Sequence, residues 1–508
     1  MTEASRRSRL FITFAIMAAT IMQVLDTTIV NVALPHMQGE LGATTDEMGW
    51  VLTSYMVASA IFMPLAGFFT DTLGRKKYLM ISISGFVLSS TLCGLSSNLT
   101  QIVLFRLLQG VFGAALVPLS QAIMVDTYPL EERGSAMAIW AMGVMAGPIL
   151  GPSLGGYLTD TLSWRWTFFI NIPVGILSII LASRYVPDTP RIKRTLNWVG
   201  LVYLSMAIAG LQFVLDRGNE DGWFGAHSIQ VATLIGIIGF IGFLWHSLRP
   251  NARPLFHLTM FSDRNFTMSC IVAAALGLGM YGAMVIQPIL LETLLGYPII
   301  TTGLVMAPRG IASAFSMLLV GKLVNRLDAR LLVSLGILLS AVGSWAATRY
   351  YLGISTWWLV WPVILQGFGI GMIYVPLSTM AFATLPANLS SEAAGMYSLV
   401  RTVGSSIGIS VVTTIYSRLS QVNWNQLGGF AQPFNPAAHD YLFPLNLGVQ
   451  TREGVAILGE EILRQSQMIA LIDVFGFITA SFIIMLPLVL LLRATALKSR
   501  AVSETVME

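Results

Sequence analysis

The stretch LFITFAIMAATIMQVLDTTIVNVAL, residues 10–34, decides the fold. At 1.5 Å per residue it is long enough to cross a hydrocarbon core about 30 Å thick. Asp26 is its single formal charge. A carboxylate at that depth costs about 2.5–3.5 kcal/mol on insertion scales, so its presence asks for a role. Counting along the chain supplies a partner. Asp26 lies nine residues before Pro35, read as the outer end of this helix, and Arg106 lies seven after Leu99, the start of the fourth apolar run. Both then sit about 10–14 Å below one membrane face. The pair can be a buried ion pair that only sets helix register, or a titratable carboxylate tuned by a guanidinium. Burial and the cation act on its proton affinity in opposite directions.

The remainder of the 508 residues repeats this character. Hydrophobic residues make up 55% and charged residues 11%, against about 25% charged in soluble domains, so the chain is an all-α polytopic membrane protein. Fourteen runs are long enough to span, from 10–34 through 393–416 to 468–492. Their connections are short except for one of about fifty residues, 417–467. The N-terminal run lacks a small-residue cleavage site and reads as a retained span rather than a signal peptide. Of the 29 Lys and Arg, twenty fall on the face carrying both termini and six on the other, while Arg106, Arg309 and Arg401 lie within spans. The positive-inside rule places both termini in the cytoplasm. The basic residues form no single patch, which excludes a nucleic-acid partner. Cys93 and Cys270 fall inside apolar runs, so neither a disulfide nor a metal site is expected.

An internal repeat accounts for the number of spans. Span four carries Gln109-Gly110 and then Val117-Pro118-Leu119-Ser120; span twelve carries Gln366-Gly367 and then Val375-Pro376-Leu377-Ser378. The loop GFFTDTLGRKK (67–77) has a worn echo in GKLVNRLD (321–328). Both matches are offset by eight spans. That is the signature of two six-helix halves, 1–185 and 266–508, with two extra helices inserted at 186–265. Parallel halves of this kind are a transporter architecture with the substrate site between them.

These residues resemble a family. GFFTDTLGRKK, LFRLLQGVFGAALVP (104–118), GVMAGPILGPSLGGYL (143–158), LDTTIVNVALP (25–35) and WRWTFFINIPVG (164–175) resemble, in order, signatures of the major facilitator superfamily and its fourteen-span drug:proton antiporter branch of the EmrB/QacA type. The resemblance implies a major facilitator fold and proton-coupled multidrug efflux from a bacterial inner membrane. It also implies a periplasmic membrane-fusion adaptor and a TolC-type outer-membrane channel as partners, completing a tripartite pump. No cofactor is implied beyond protons as coupling ion. One departure from the QacA pattern is that span ten carries Pro308-Arg309 and no acid.

Several residues have a physical reading of their own. In the 67–77 loop, Asp71 can accept hydrogen bonds from a helix N-terminus, while Gly74 and Arg75 belong to a latch that gates rocking of the halves or anchors topology. In span five, Gly147, Gly151 and Gly155 share one helix face and allow close approach of another helix, while Pro148 and Pro152 favour a bend. The resemblance turns that packing into a seal against proton leak. Gln23, Asn31 and Gln109 are polar neighbours of Asp26 in the substrate cavity. Met142 belongs to a set of methionines that could line a wall adaptable to dissimilar apolar ligands. Arg309 and Arg401 have no obvious acidic partner at their depth and read as snorkelling cations or cavity-lining groups. Asp473, Glu292 and Glu392 read as solvated charges near helix ends. Arginines outnumbering carboxylates within the spans favours neutral or weakly acidic hydrophobic compounds.

The segment 451–467 has apolar residues at the spacing of an amphipathic helix. It can fold over the outer mouth, or, following the resemblance, Leu442, Phe443, Leu458 and Ile462 dock the adaptor. A channel would need rings of like charge or filter carbonyls, and a membrane enzyme would need a motif such as HExxH; neither occurs. Export or uptake of one endogenous metabolite without an adaptor remains open.

Overall fold

Backbone polar groups in hydrocarbon must be satisfied within the segment, so apolar runs of this length become helices. A computed structural model describes residues 3–493 apart from 130–131, 193–194, 250–256, 325, 387–388, 433, 446 and 449. Among the described residues, fourteen helices are long and apolar enough to span a membrane. Spans one to six are Ser8–Leu41, Glu47–Leu73, Arg75–Gly94, Leu99–Thr127, Arg133–Thr161 and Trp166–Tyr185; spans seven and eight are Trp198–Arg217 and His227–Ser247. Spans nine to fourteen are Arg264–Leu294, Thr301–Leu323, Ala329–Ala347, Thr356–Ala383, Ser390–Gly428 and Arg452–Leu490.

Polar residues at the ends fix the boundaries. Thr44 and Glu47 form a capping box ahead of span two, and the Asn98 side chain accepts from the Gln101 amide to start span four. Prolines mark the internal irregularities, because each removes a backbone donor. Pro64 sits in the 3-10 turn Met63–Leu65 of span two, and Pro118 follows the break at Ala114-Ala115 in span four. Pro288 precedes the π-helical turn Ile289–Leu294 that closes span nine.

Two sequence expectations about helix ends are corrected. Pro35 does not end span one; the helix runs through it to Leu41. The stretch 417–467 is not mainly a loop. Span thirteen continues unbroken to Gly428, and the amphipathic segment after Thr451 is the first four turns of span fourteen rather than a separate helix. Only 429–451 connects them, with a short helix Pro436–Leu442 inside it.

Packing follows the internal repeat. Span one packs on five and six, two on four, and three on four and six. Shifted by eight, nine packs on thirteen and fourteen, ten on twelve, and eleven on twelve and fourteen. The halves meet along five against ten and thirteen against two and four. Spans seven and eight form a hairpin, in which Gly210 lies against the Gly236 backbone and Gly239 against Ala207. This hairpin reaches the body through span seven.

The face that carries the N-terminus, called the basic face below, is shut between the halves. Gly67 abuts the Glu392 backbone, Gly395 the Met63 carbonyl, and Gly321 the backbone of Gly134 and Ser135. At each place a Cβ would collide with the opposite half, so helices approach more closely than any larger residue permits.

Candidate functional site

Asp26 is fully buried in span one, and the depth argument holds: Arg106 Nη1 lies 2.6 Å from Asp26 Oδ2. The rest of the site explains how a buried carboxylate is tolerated. Gln109 Nε2 donates to Asp26 Oδ1 at 2.8 Å and Asn171 Nδ2 to the same oxygen at 3.1 Å. Arg106 Nη1 also donates to Gln109 Oε1 at 2.9 Å, and its Nε to the Val51 carbonyl at 3.0 Å. The guanidinium lies 4.2 Å from the centre of the Tyr55 ring, whose hydroxyl accepts from Gln23 Nε2 at 2.8 Å. Ser90 orients Asn171: its Oγ accepts from Asn171 Nδ2 at 2.9 Å and donates to the Phe168 carbonyl. Spans one, two, three, four and six all contribute to one network.

The arrangement has a definite polarity. Among the described residues, the hydrogen-bond partners of the Asp26 oxygens are all N–H donors, so the site is complementary to a carboxylate. A proton on Asp26 removes the charge that these three bonds share and so weakens the hold of Arg106, Gln109 and Asn171 on span one.

Span five seals this region from one side. A Cβ at Gly147 would meet Val24, one at Gly151 would meet Thr28, and one at Gly155 would meet Ile29. Thr28 Oγ1 donates to the Gly147 carbonyl at 3.0 Å. Gly143 extends the row by one turn, against Met17. Pro152 is exposed, the side chain of Pro148 lies outside the described residues, and the helix is continuous from Arg133 to Thr161.

Other residues fall into place less simply. Gln23 and Gln109 join the network, whereas Asn31 is exposed and takes no part in it; Met142 is half-buried at the edge of the main core. Arg309 is not a snorkelling cation. It is buried, and its Nη2 donates to the side-chain oxygens of Gln287 and Gln366, while Nε and Nη1 have no hydrogen-bond partner. Gln366 is the repeat mate of Gln109, and Gln287 lies in span nine, the mate of span one. The second half thus encloses an arginine as the first does, but with amides where the first half has a carboxylate. Arg401 lies 5.6 Å from the Tyr374 ring centre, and that ring stacks on Trp140 of the opposite half. Glu392 is buried, not solvated, and accepts from the backbone N of His257 at 2.7 Å with His257 Nδ1 at 2.9 Å. Asp473 and Glu292 are exposed.

In the 67–77 loop, Gly74 adopts φ +84, where a Cβ would be strained and would strike Asp188. The latch runs differently from the sequence expectation. Arg75 makes its contacts through the guanidinium: its Nη2 is 2.6 Å from Asp126 Oδ2 and 3.5 Å from Ser391 Oγ of span thirteen. Asp71 contributes its backbone carbonyl to the Ile192 amide at 2.8 Å.

The docking residues also need correction. Leu442 is fully buried and packs with Ala438, Leu447, Ile457 and Leu458 in a small apolar cap. Two of the four are therefore turned inward, because the short helix has nowhere else to bury its apolar side. Phe443 is exposed and Ile462 half-buried.

Sequence reasoning missed Asn171, Ser90, Tyr55 and Asp126. Asn171 could have been found, since a lone amide inside the apolar start of span six sits at the depth of Asp26; the others carry no signal beyond being polar or aromatic.

Comparisons with known proteins bear on the family and the fold. A family model described as "Major Facilitator Superfamily" matches residues 16–409. The chain is 36% identical to "Probable multidrug resistance protein EmrY" of Escherichia coli (strain K12), over 94% of each chain. It is 34% identical to "Multidrug export protein EmrB" of the same strain, again over 94% of each. "Fatty acid resistance protein FarB" of Neisseria gonorrhoeae is 34% identical over 94% of this chain and 95% of its own. Among solved structures, the human organic anion transporter MFSD10 superposes with a TM-score of 0.63 at 14% identity, covering 96% of this chain and 100% of its own, a likeness of fold alone.

Proposed function

This chain belongs to the major facilitator superfamily, a family of transporters, and on that footing we propose that it exports hydrophobic and amphipathic toxic compounds in exchange for protons, by alternating access. The observation that carries the proposal is the all-donor surround of Asp26. A proton arriving there turns three charge-assisted bonds into weaker ones and so loosens spans four and six from span one. Asp26 is the coupling carboxylate, Arg106 its tuning cation, and Gln109 and Asn171 hold the pair in register. The glycine row of span five keeps water from bypassing the site, and the Arg75–Asp126–Ser391 contact latches the basic face between strokes.

The membrane is the inner membrane of a bacterium, with the basic face cytoplasmic, as the charge asymmetry directs. The substrates are neutral or weakly acidic, because the described spans of the second half bury Arg309 without a carboxylate. The name of the FarB relative, a fatty acid resistance protein, supports the same class. The outer cap, with Phe443 and Ile462 on its accessible side, receives a periplasmic adaptor leading to a TolC-type outer-membrane channel, a reading supported by the similarity to EmrB. The 1–185 and 266–508 halves rock about the 186–265 hairpin.

The test is dye efflux driven by a pH gradient in proteoliposomes. Asp26→Asn should insert and still exchange substrate across the membrane without a gradient, yet fail to concentrate it. Gradient-driven transport at the wild-type rate by this variant would refute proton coupling through Asp26.

A further inference from the structure

Asp216 is a carboxylate that the proposed mechanism does not use. It stands near the end of span seven away from the basic face, on a hairpin whose other helix is largely turned outward. A helix that served only as lipid-facing filler would have no need of an acid there. Asp216 Oδ1 accepts from Gln212 Nε2 at 3.0 Å, and Oδ2 is shut from solvent without a hydrogen-bond partner. Gln212 Nε2 donates its second hydrogen to Ser406 Oγ of span thirteen, also at 3.0 Å. The Thr53 hydroxyl of span two lies beside the carboxylate. Span seven is further pinned to span two by Phe213 against Trp50, with ring centres 5.7 Å apart, and by the Arg217 guanidinium over the same Trp50 ring.

The charged groups that act on Asp216 are Arg217 of its own helix and Glu220 in the turn that follows it, which also pair with each other at 3.2 Å. From span two it meets Thr53, and from span thirteen it is reached only through Gln212 and Ser406. One amide nitrogen therefore joins a titratable group to the second half of the molecule, at the boundary where that half meets the first.

We propose that Asp216 is a second proton-binding residue, whose charge state sets how firmly the inserted hairpin ties span two to span thirteen. An ionised acceptor makes the Gln212 bond charge-assisted, roughly twice as strong as a neutral one. Proton uptake weakens the bond and leaves Gln212 free to release Ser406. The hairpin is then a proton-sensitive brace across the boundary between the halves. The inference rests on the antiport reading for its purpose, but its test does not need transport.

Both native cysteines are buried, so spin labels can be placed at Phe224, in the exposed hairpin turn, and at Ser417 on span thirteen. The distance between them is measured in full-length Asp26→Asn protein in nanodiscs at about pH 8 and about pH 5. Using that background removes the first coupling site from the comparison. Acidification should shift the distribution to longer or broader distances. Asp216→Asn should give the acidic distribution at both pH values, and Asp216→Glu should restore the shift. Gln212→Leu should abolish it with Asp216 intact. A full shift in Asp216→Asn, or in Gln212→Leu, overturns the proposal. No shift in the Asp26→Asn background with Asp216 intact overturns it too, since the response would then belong to Asp26.

Discussion

Replacing Arg106 by glutamine tests the site energetically. The shorter amide cannot reach Asp26, the Val51 carbonyl and the Tyr55 face at once, so Asp26 keeps two amide donors and loses its only close cation. Breaking a buried pair from one side costs about 3–5 kcal/mol, because a charge is left uncompensated. Asp26→Asn leaves the buried Arg106 cation with neutral partners only and should cost a similar amount, about 3–5 kcal/mol. In the double variant two amides face each other and no buried charge remains. Its destabilisation should fall short of the sum of the singles by about 2 kcal/mol or more, a coupling well beyond the scatter of independent sites. Unfolding of the purified protein in mixed micelles, followed by tryptophan fluorescence, gives all four stabilities. Additive costs, or an Arg106→Gln protein within about 1 kcal/mol of wild type, would refute the premise that the pair is ionised and mutually required.

The packing contacts make further claims. Gly151→Val should push span five off Thr28 and cost about 1–3 kcal/mol by overpacking, read as lost stability together with proton leak in pH-dye-loaded vesicles. Gly74→Ala forces a side chain into φ +84 against Asp188 and should cost about 1–3 kcal/mol, while Asp188→Ala in the same chain should recover the part due to collision. Gln287→Glu supplies Arg309 with a carboxylate. It should raise the unfolding free energy by about 1–2 kcal/mol and reduce efflux of weakly acidic compounds more than of neutral ones. Phe443→Asp should weaken adaptor co-purification, whereas Leu442→Ala should act by loosening the cap and lower thermal stability instead.

Much of this was legible in the chain, for identifiable reasons. The pairing of Asp26 with Arg106 could be counted because helical rise converts sequence distance into depth, and two charges in hydrocarbon have few places to go. The eight-span offset survives as recurring Gln-Gly and Val-Pro-Leu-Ser because the same packing recurs in each half. Asn171 was legible by depth alone, but Ser90 was not, since its role depends on helix rotation, which span counting does not supply. The same holds for Arg309: its amide partners come from spans nine and twelve, and neutral partners leave no charge pattern to search for. The extension of spans thirteen and fourteen past the apolar runs was missed because hydropathy marks where lipid ends, not where hydrogen bonding does.

That extension has a mechanical consequence. Span thirteen has 39 residues in one helix, about 58 Å, and the part beyond residue 416 rises about 18 Å past the apolar run. Span fourteen runs beside it, and the small apolar cap packs on the tip of span fourteen. The two form a stiff mast fixed to the second half, so any tilt of that half is amplified at the tip by about 3 Å for each ten degrees at that length. A fluorophore on Phe434, which is 90% exposed at the top of the mast, would act as the needle of a gauge. It would report each stroke of the cycle from outside the lipid, where donor–acceptor distances can be followed one molecule at a time.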